Sequence, residues 1–175
     1  VIGTYAREAS DCRRSVLVST GDKDISQLVN KYVSLVNTMT GQVLNSQGVE
    51  EKFGVPPQNI TDYLGLLGDK SDNIPGVAGI GEKSAIFLIR EIGNLDAIYS
   101  RINDIPMLSF RGAKNIAKKL QNSKEIAYLS RELATIKTDV MLPVALVDLK
   151  NTPPDESTLL AVSYTHLRAH ETDRH

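Results

Sequence analysis

Four aspartates fall in two short clusters, Asp22-x-Asp24 and Asp69-x-x-Asp72. Carboxylates two apart on an extended segment, or three apart on a helical turn, aim their oxygens to one side. Oxygens grouped in this way repel one another unless a cation lies between them. Hard oxygen donors are what magnesium or manganese takes, and a pair of such ions can activate water and clamp both oxygens of an in-line displacement at a phosphodiester. Each pair also has a plain structural use: Gly21-Asp22 suits a turn with Asp24 capping the next helix, and Asp69 to Asp72 suits a solvated loop with Asp72 as an N-cap.

The stronger signal follows directly, in Pro75-Gly76-Val77-Ala78-Gly79-Ile80-Gly81-Glu82-Lys83-Ser84-Ala85. Glycines at 76, 79 and 81 permit tight turns and close backbone approach, and they expose amides at the start of a helix whose dipole favours a phosphate. Lys83 adds a charge and Ser84 a hydroxyl. Such contacts hold a nucleic-acid backbone without reading bases. A nucleotide-phosphate loop would need a preceding strand, whereas here a helical pattern and a polar turn come first. The segment therefore reads as a helix-hairpin-helix DNA grip. Ser109 to Lys114, with Lys118 and Lys119, reads either as a second basic contact or as a plain solvated helix face.

These residues need elements to position them. Val1 to about Arg13 has a helical pattern that starts without a cap or a methionine, so an upstream segment is expected. Ser15 to Ser19 reads as a buried strand of a parallel sheet, ending at Thr20-Gly21-Asp22-Lys23-Asp24, with a short helix over 25–29. A second strand is expected near 34–38 and an extended piece over 42–44. Ser46 suits the N-cap of a helix ending at Gly54, and Pro57 can open a helix to about Leu67. Helices are further expected over 82–92, 95–100, 109–121 and 124 to about 136, and after Pro143 the signal fades.

The expected fold class is therefore α/β: a partial parallel sheet followed by a helical helix-hairpin-helix subdomain. Residues 1–45 would close the α/β core, 46–147 would form the helical subdomain, 148–162 a linker and 163–175 a non-native tail. That tail holds all three histidines. His166 and His170 have the spacing of two metal ligands on a helix, but no third ligand accompanies them.

Composition sets the outer bounds. At 175 residues and 41% apolar the chain can bury a real core. There is no run of roughly 18 apolar residues and no secretory pattern, so no membrane partner is expected and the cytoplasm is the default address. Cys12 has no disulfide partner. The net charge of −1 conceals a split, because from Glu82 to Lys137 bases outnumber acids while the aspartates of interest lie earlier.

Three stretches together carry a resemblance: Ser19 to Asp24, Gly68 to Ala85, and Ala134-Thr135-Ile136-Lys137-Thr138-Asp139. In order and spacing they resemble the 5′-nuclease domain of bacterial DNA polymerase I, from Val1 to about Val147. The resemblance implies a core related to PIN-type nucleases and a 5′-3′ exonuclease or flap endonuclease that serves DNA replication and repair. It implies DNA with 5′ flaps, nicks or duplex ends as substrate, two Mg2+ or Mn2+ ions held by Asp22, Asp24, Asp69 and Asp72, and a monomer. It implies that the hairpin around Gly76, Gly79, Gly81, Lys83 and Ser84 holds the duplex, with a potassium ion on carbonyls near Val77 and Ile80. Further acidic ligands of that family would precede Val1, so this stretch alone need not cut. The alternative is a noncatalytic, sequence-independent duplex-binding module.

Overall fold

A computed structural model describes residues 1–37, 39–110 and 112–172, the side chains of 165–172 excepted. Arg111, and the side chains of His166, His170 and His175, therefore lie outside the described residues. The chain forms two compact units, Val1–Met141 and Leu142–His175.

The first unit opens with helix α1 (Ile2–Asp11), which ends where Arg13 takes a left-handed φ of 58°. Strands β1 (Val16–Ser19), β2 (Val33–Val36) and β3 (Val43–Leu44) make one sheet in the order β1-β2-β3. The pair β1 and β2 runs parallel, with Val16 opposite Val33, whereas β3 returns antiparallel to β2. Val33 and Leu35 alternate into the core with Val18 of β1. One expectation is corrected here. β1 is not buried on both faces, since Leu17 is 62% exposed while Val18 is 8% exposed. β1 pairs only with β2 among the described residues, so it sits at a sheet edge with one face covered.

Helix α2 (Ser46–Phe53) is capped by Asn45, whose side chain accepts the Gly48 amide, so the cap is one residue earlier than the Ser46 expected. Pro57 opens a single 3-10 turn, Pro57–Asn59, before α3 (Ile60–Leu67) begins. Helix α3 is the centre of the unit: Ile60, Tyr63, Leu64 and Leu66 are all buried. Gly65 lets α7 (Lys124–Ala134) approach closely, because a Cβ there would lie 3.0 Å from Arg131 Cβ and 3.2 Å from the Ala127 carbonyl oxygen.

Helices α4 (Glu82–Ile92), α5 (Leu95–Ser100) and α6 (Ala113–Asn122) complete the layer. They bury Leu88, Leu95, Ile98 and Leu120 fully, and each such side chain contributes about 1.5–3 kcal/mol relative to exposure. Helix α6 starts four residues later than Ser109. Gly112 has φ 89°, which ends any helical run coming from its N-terminal side.

In the second unit a helix, α8 (Glu156–Thr172), stands where periodicity gave no signal. Its start is fixed locally. The Asp155 carboxylate accepts the Thr158 and Ser157 hydroxyls at 2.7 Å each and the Ser157 amide at 3.1 Å, which holds its pKa down at about 2.

Candidate functional site

The chain leaves β1 through two successive side-chain turns. Thr20 Oγ1 accepts the Asp22 amide at 3.0 Å, and Asp22 Oδ1 accepts the Asp24 amide at 2.9 Å. These turns bring Asp24 to the start of a 3-10 turn, Asp24–Leu28, beside the carboxyl end of the sheet. Open α/β sheets place their ligand sites there.

The second cluster is held by a tight loop, not by the helical turn considered from its spacing. Asp69 and Ile74 exchange backbone hydrogen bonds of 2.8 and 2.7 Å as an antiparallel bridge, and Asn73 closes the loop with a left-handed φ of 56°. Asp69 Oδ1 accepts the Ser71 amide at 2.9 Å.

The two clusters meet. One carboxylate oxygen from each of Asp24, Asp69 and Asp72 lies within 4.8 Å of the others. Asp69 is buried and Asp72 exposed, so the group spans the boundary between protein and solvent. Asp22 stands outside that trio, exposed and engaged with the Asp24 amide. Between the clusters lies Lys23, whose Nζ is 2.6 Å from Asp69 Oδ2, close enough for an ion pair though not aligned as a full hydrogen bond.

The charges respond to this crowding. Burial pushes the Asp24 carboxyl up to about 6, and the neighbouring charges of Asp22, Asp69 and Asp72 add to the effect. The Lys23 ammonium holds Asp69 below the usual carboxylate range, and Asp69 in turn raises Lys23. Asp24 Oδ1 is buried without a hydrogen-bond partner among the described residues. A buried anionic oxygen left over in a cluster of carboxylates fits a hard divalent cation. Asp22 and Asp24 also line an open cleft of about 440 Å³, with Ile25, Thr135 and Ile136 on its other walls.

The glycine hairpin starts from the same loop. Gly76 has φ 61°, and a Cβ there would run into the Gly68 backbone. Its amide donates to the fully buried Ser130 Oγ at 3.0 Å, and the Val77 amide donates to the Leu66 carbonyl at 2.9 Å. The hairpin is thereby locked onto the end of α3 and the side of α7. The Val77 carbonyl accepts the Ile80 amide at 3.0 Å, and Val77 and Ile80 are both buried. Gly79, with φ 76°, is exposed, and its carbonyl accepts Lys119 Nζ at 2.9 Å. Gly81 is the N-cap of α4, with φ −97° and open space where a Cβ would stand. Gly81 and Lys83 are exposed and Ser84 is half-buried at this helix start, where the Ser84 and Ala85 amides both donate to the Gly81 carbonyl at 3.0 Å.

Several of these contacts were not legible from spacing. Lys23 and Ser130 gave no signal of their own, because what they do depends on segments far away in sequence. Lys119, whose spacing suits a basic contact or a solvated face, instead turns its ammonium onto the Gly79 carbonyl of the hairpin.

Known proteins are similar to this chain in sequence and in fold. The chain is 50% identical over 163 residues to DNA polymerase I of Pseudomonas aeruginosa, covering 93% of this chain and 18% of the polymerase. It is 41% identical over 154 residues to a 5'-3' exonuclease of Buchnera aphidicola subsp. Baizongia pistaciae, covering 88% of this chain and 51% of that protein. The chain thus spans about half the length of the exonuclease and under a fifth of the polymerase. In fold it is similar to a phage T5 5'-exonuclease with bound divalent metal ions (zinc), with a TM-score of 0.64 at 24% identity over 76% of this chain and 47% of the other. A T5 flap endonuclease in complex with DNA and metal ions gives a TM-score of 0.64 at 23% identity, over 76% of this chain and 47% of that one. Residues 55–157, which hold the second aspartate cluster, the glycine hairpin and every helix from α3 to α7, match the family described as 5'-3' exonuclease, C-terminal SAM fold, and the chain belongs to that family.

Proposed function

We propose that this chain is the part of a 5′-3′ exonuclease or flap endonuclease that supplies half of a divalent-metal site together with the duplex grip. Asp24, Asp69 and Asp72 would hold the metal, with Asp22 completing the set from the cleft side. Two Mg2+ or Mn2+ ions bound there would lower the pKa of coordinated water and offset charge on the scissile phosphodiester. The exposed hairpin backbone at Gly79 and Gly81, with Lys83 and Ser84, would hold the backbone of DNA bearing a 5′ flap, nick or duplex end, independently of sequence, while buried Gly76, whose amide is taken by Ser130, would shape the turn. A potassium ion on the Val77 and Ile80 carbonyls would complete the grip. The protein would act as a cytoplasmic monomer. No helix of the described residues is long and apolar enough to cross a membrane.

On this reading residues 1–45 close the catalytic core and 46–147 form the helical duplex-binding subdomain. Residues 148–162 would be a linker and 163–175 a non-native tail, a division that falls within α8. The observation that carries the proposal is the convergence of Asp24, Asp69 and Asp72 from two stretches, with a buried oxygen of Asp24 unpartnered at the meeting point.

Its test is release of 5′ products from an end-labelled flap by the chain extended upstream through its reading frame. Cutting should need Mg2+ or Mn2+ and should fall by orders of magnitude in Asp69→Asn/Asp72→Asn. Undiminished cutting by that variant would overturn the assignment. Duplex binding that survives chelation in a chain that never cuts would favour the binding module instead.

A further inference from the structure

The third sequence stretch, Ala134 to Asp139, has no part in the chemistry above, yet it returns to the metal-bearing turn. One side chain makes the connection. Gln27 Nε2 donates to the Asp24 carbonyl at 2.8 Å and to the Ala134 carbonyl at 2.9 Å, while Gln27 Oε1 accepts the Ile136 amide at 2.9 Å. All the bonding directions of this amide that these contacts use are spent on backbone, and two of the three span more than a hundred residues of sequence. The junction is closed from outside as well. Arg7 Nη1 donates to Thr138 Oγ1 at 3.2 Å, and Gly3 packs so close to Ile136 that a Cβ would lie 2.7 Å from its Cγ2.

Ala134 is the last residue of α7, and one turn earlier the same helix presents Ser130 to the Gly76 amide. A single rigid helix therefore carries two hydrogen-bonded attachments. One end fixes the turn that bears Asp24, and the side fixes the hairpin. We propose that Gln27 is a positioning residue that sets Asp24 for metal from α7, with Ser130 as its counterpart for the hairpin, so that α7 fixes the spacing between metal site and duplex grip. This rests on the metal and duplex roles proposed above. A carboxylate ligand must be held within a fraction of an ångström of its productive place, and backbone attachments of this kind supply that restraint.

The test uses the 175-residue chain and two equilibrium readouts: Mn2+ affinity followed by the electron paramagnetic resonance of free Mn2+, and duplex affinity in EDTA followed by fluorescence anisotropy. Gln27→Met, nearly equal in volume, should weaken Mn2+ binding about tenfold and leave the EDTA duplex affinity within about twofold. Ser130→Ala should do the reverse. In the unsubstituted chain, saturating Mg2+ should slow hydrogen exchange at the Ile136 amide while the α4 amides keep their rates, a result independent of whether any variant folds. Equal loss of both affinities in Gln27→Met, or no loss of either, would overturn the proposal, as would an Ile136 amide indifferent to Mg2+ in a chain that binds it. If the unsubstituted chain binds no Mn2+ at all, the metal reading itself fails, and that outcome is distinct.

Discussion

Lys23 Nζ lies 2.6 Å from Asp69 Oδ2, so the ammonium of one stretch occupies the carboxylate of the other. Only 2% of the Asp69 side chain is exposed, against 43% for Lys23. Removing the lysine would leave a buried charge without its counter-ion, while a divalent cation would no longer compete with an ammonium for the same oxygens. Lys23→Met should therefore destabilise the metal-free chain by about 1–2 kcal/mol, a figure reduced for the half-exposed lysine. It should also tighten Mn2+ binding. Urea denaturation in EDTA and Mn2+ titration measure the two effects, and looser Mn2+ binding would count against Lys23 as a competitor.

Asp24 sets a pH dependence of the metal-free fold. Its pKa is raised from the ordinary 3.8 to about 6 by burial first and by Asp22, Asp69 and Asp72 next. The folded chain thus binds this proton more tightly than the unfolded chain, so the group favours folding below the ordinary value and that contribution is lost as pH rises through about 6. In EDTA, the stability of the natural chain relative to Asp24→Asn should fall between about pH 4 and pH 6.5. Excess Mg2+ should oppose the loss at the upper end. A difference between the two proteins that stays flat with pH would be the wrong result.

The hairpin glycines separate by what they do. Gly76→Ala places a Cβ against the Gly68 backbone at a left-handed φ, and should cost about 3 kcal/mol or more. Gly81→Ala meets nothing within 4 Å and keeps an ordinary φ. It should leave the melting temperature unchanged within about 2 °C and weaken duplex binding severalfold if a phosphate approaches there. Thermal melts paired with anisotropy titrations read both, and Gly81→Ala with full duplex affinity would remove that residue from the grip.

Arg131 offers a contrast that concerns stability alone. It pairs with Asp96 at 2.9 Å and with the buried Asp62 at 3.4 Å, and Tyr128 donates to Asp96 at 2.7 Å. Arg131→Met should cost about 1–3 kcal/mol by stranding Asp62, with Mn2+ affinity kept. Loss of Mn2+ affinity at a temperature where the variant is folded would contradict this separation.

Much of this was legible from sequence wherever the signal was local. Gly54 and Gly93 mark helix ends, the apolar spacing of α4 gives its buried face, and the valines of β1 give a strand. The errors differ in cause, some lying in backbone conformation within a few residues and some in neighbours distant in the chain. The exposure of Leu17 marks a face of β1 left uncovered, and no local pattern encodes which face another layer covers. The loop that joins Asp69 to Ile74 followed from a backbone bridge where spacing admitted a helical turn. Within the candidate site the aspartates announced themselves by type and spacing. Gln27 and Ser130 did not, because a glutamine or a serine acquires meaning only from the backbone groups it meets.

If the aspartates converge on a cation, metal binding must depend on them. Isothermal titration of Mn2+ into the 175-residue chain should give saturable binding that is lost in Asp24→Asn and in Asp69→Asn/Asp72→Asn, with both variants still folded by circular dichroism. Equal Mn2+ affinity in the natural chain and in the double variant would mean that Asp69 and Asp72 hold no metal.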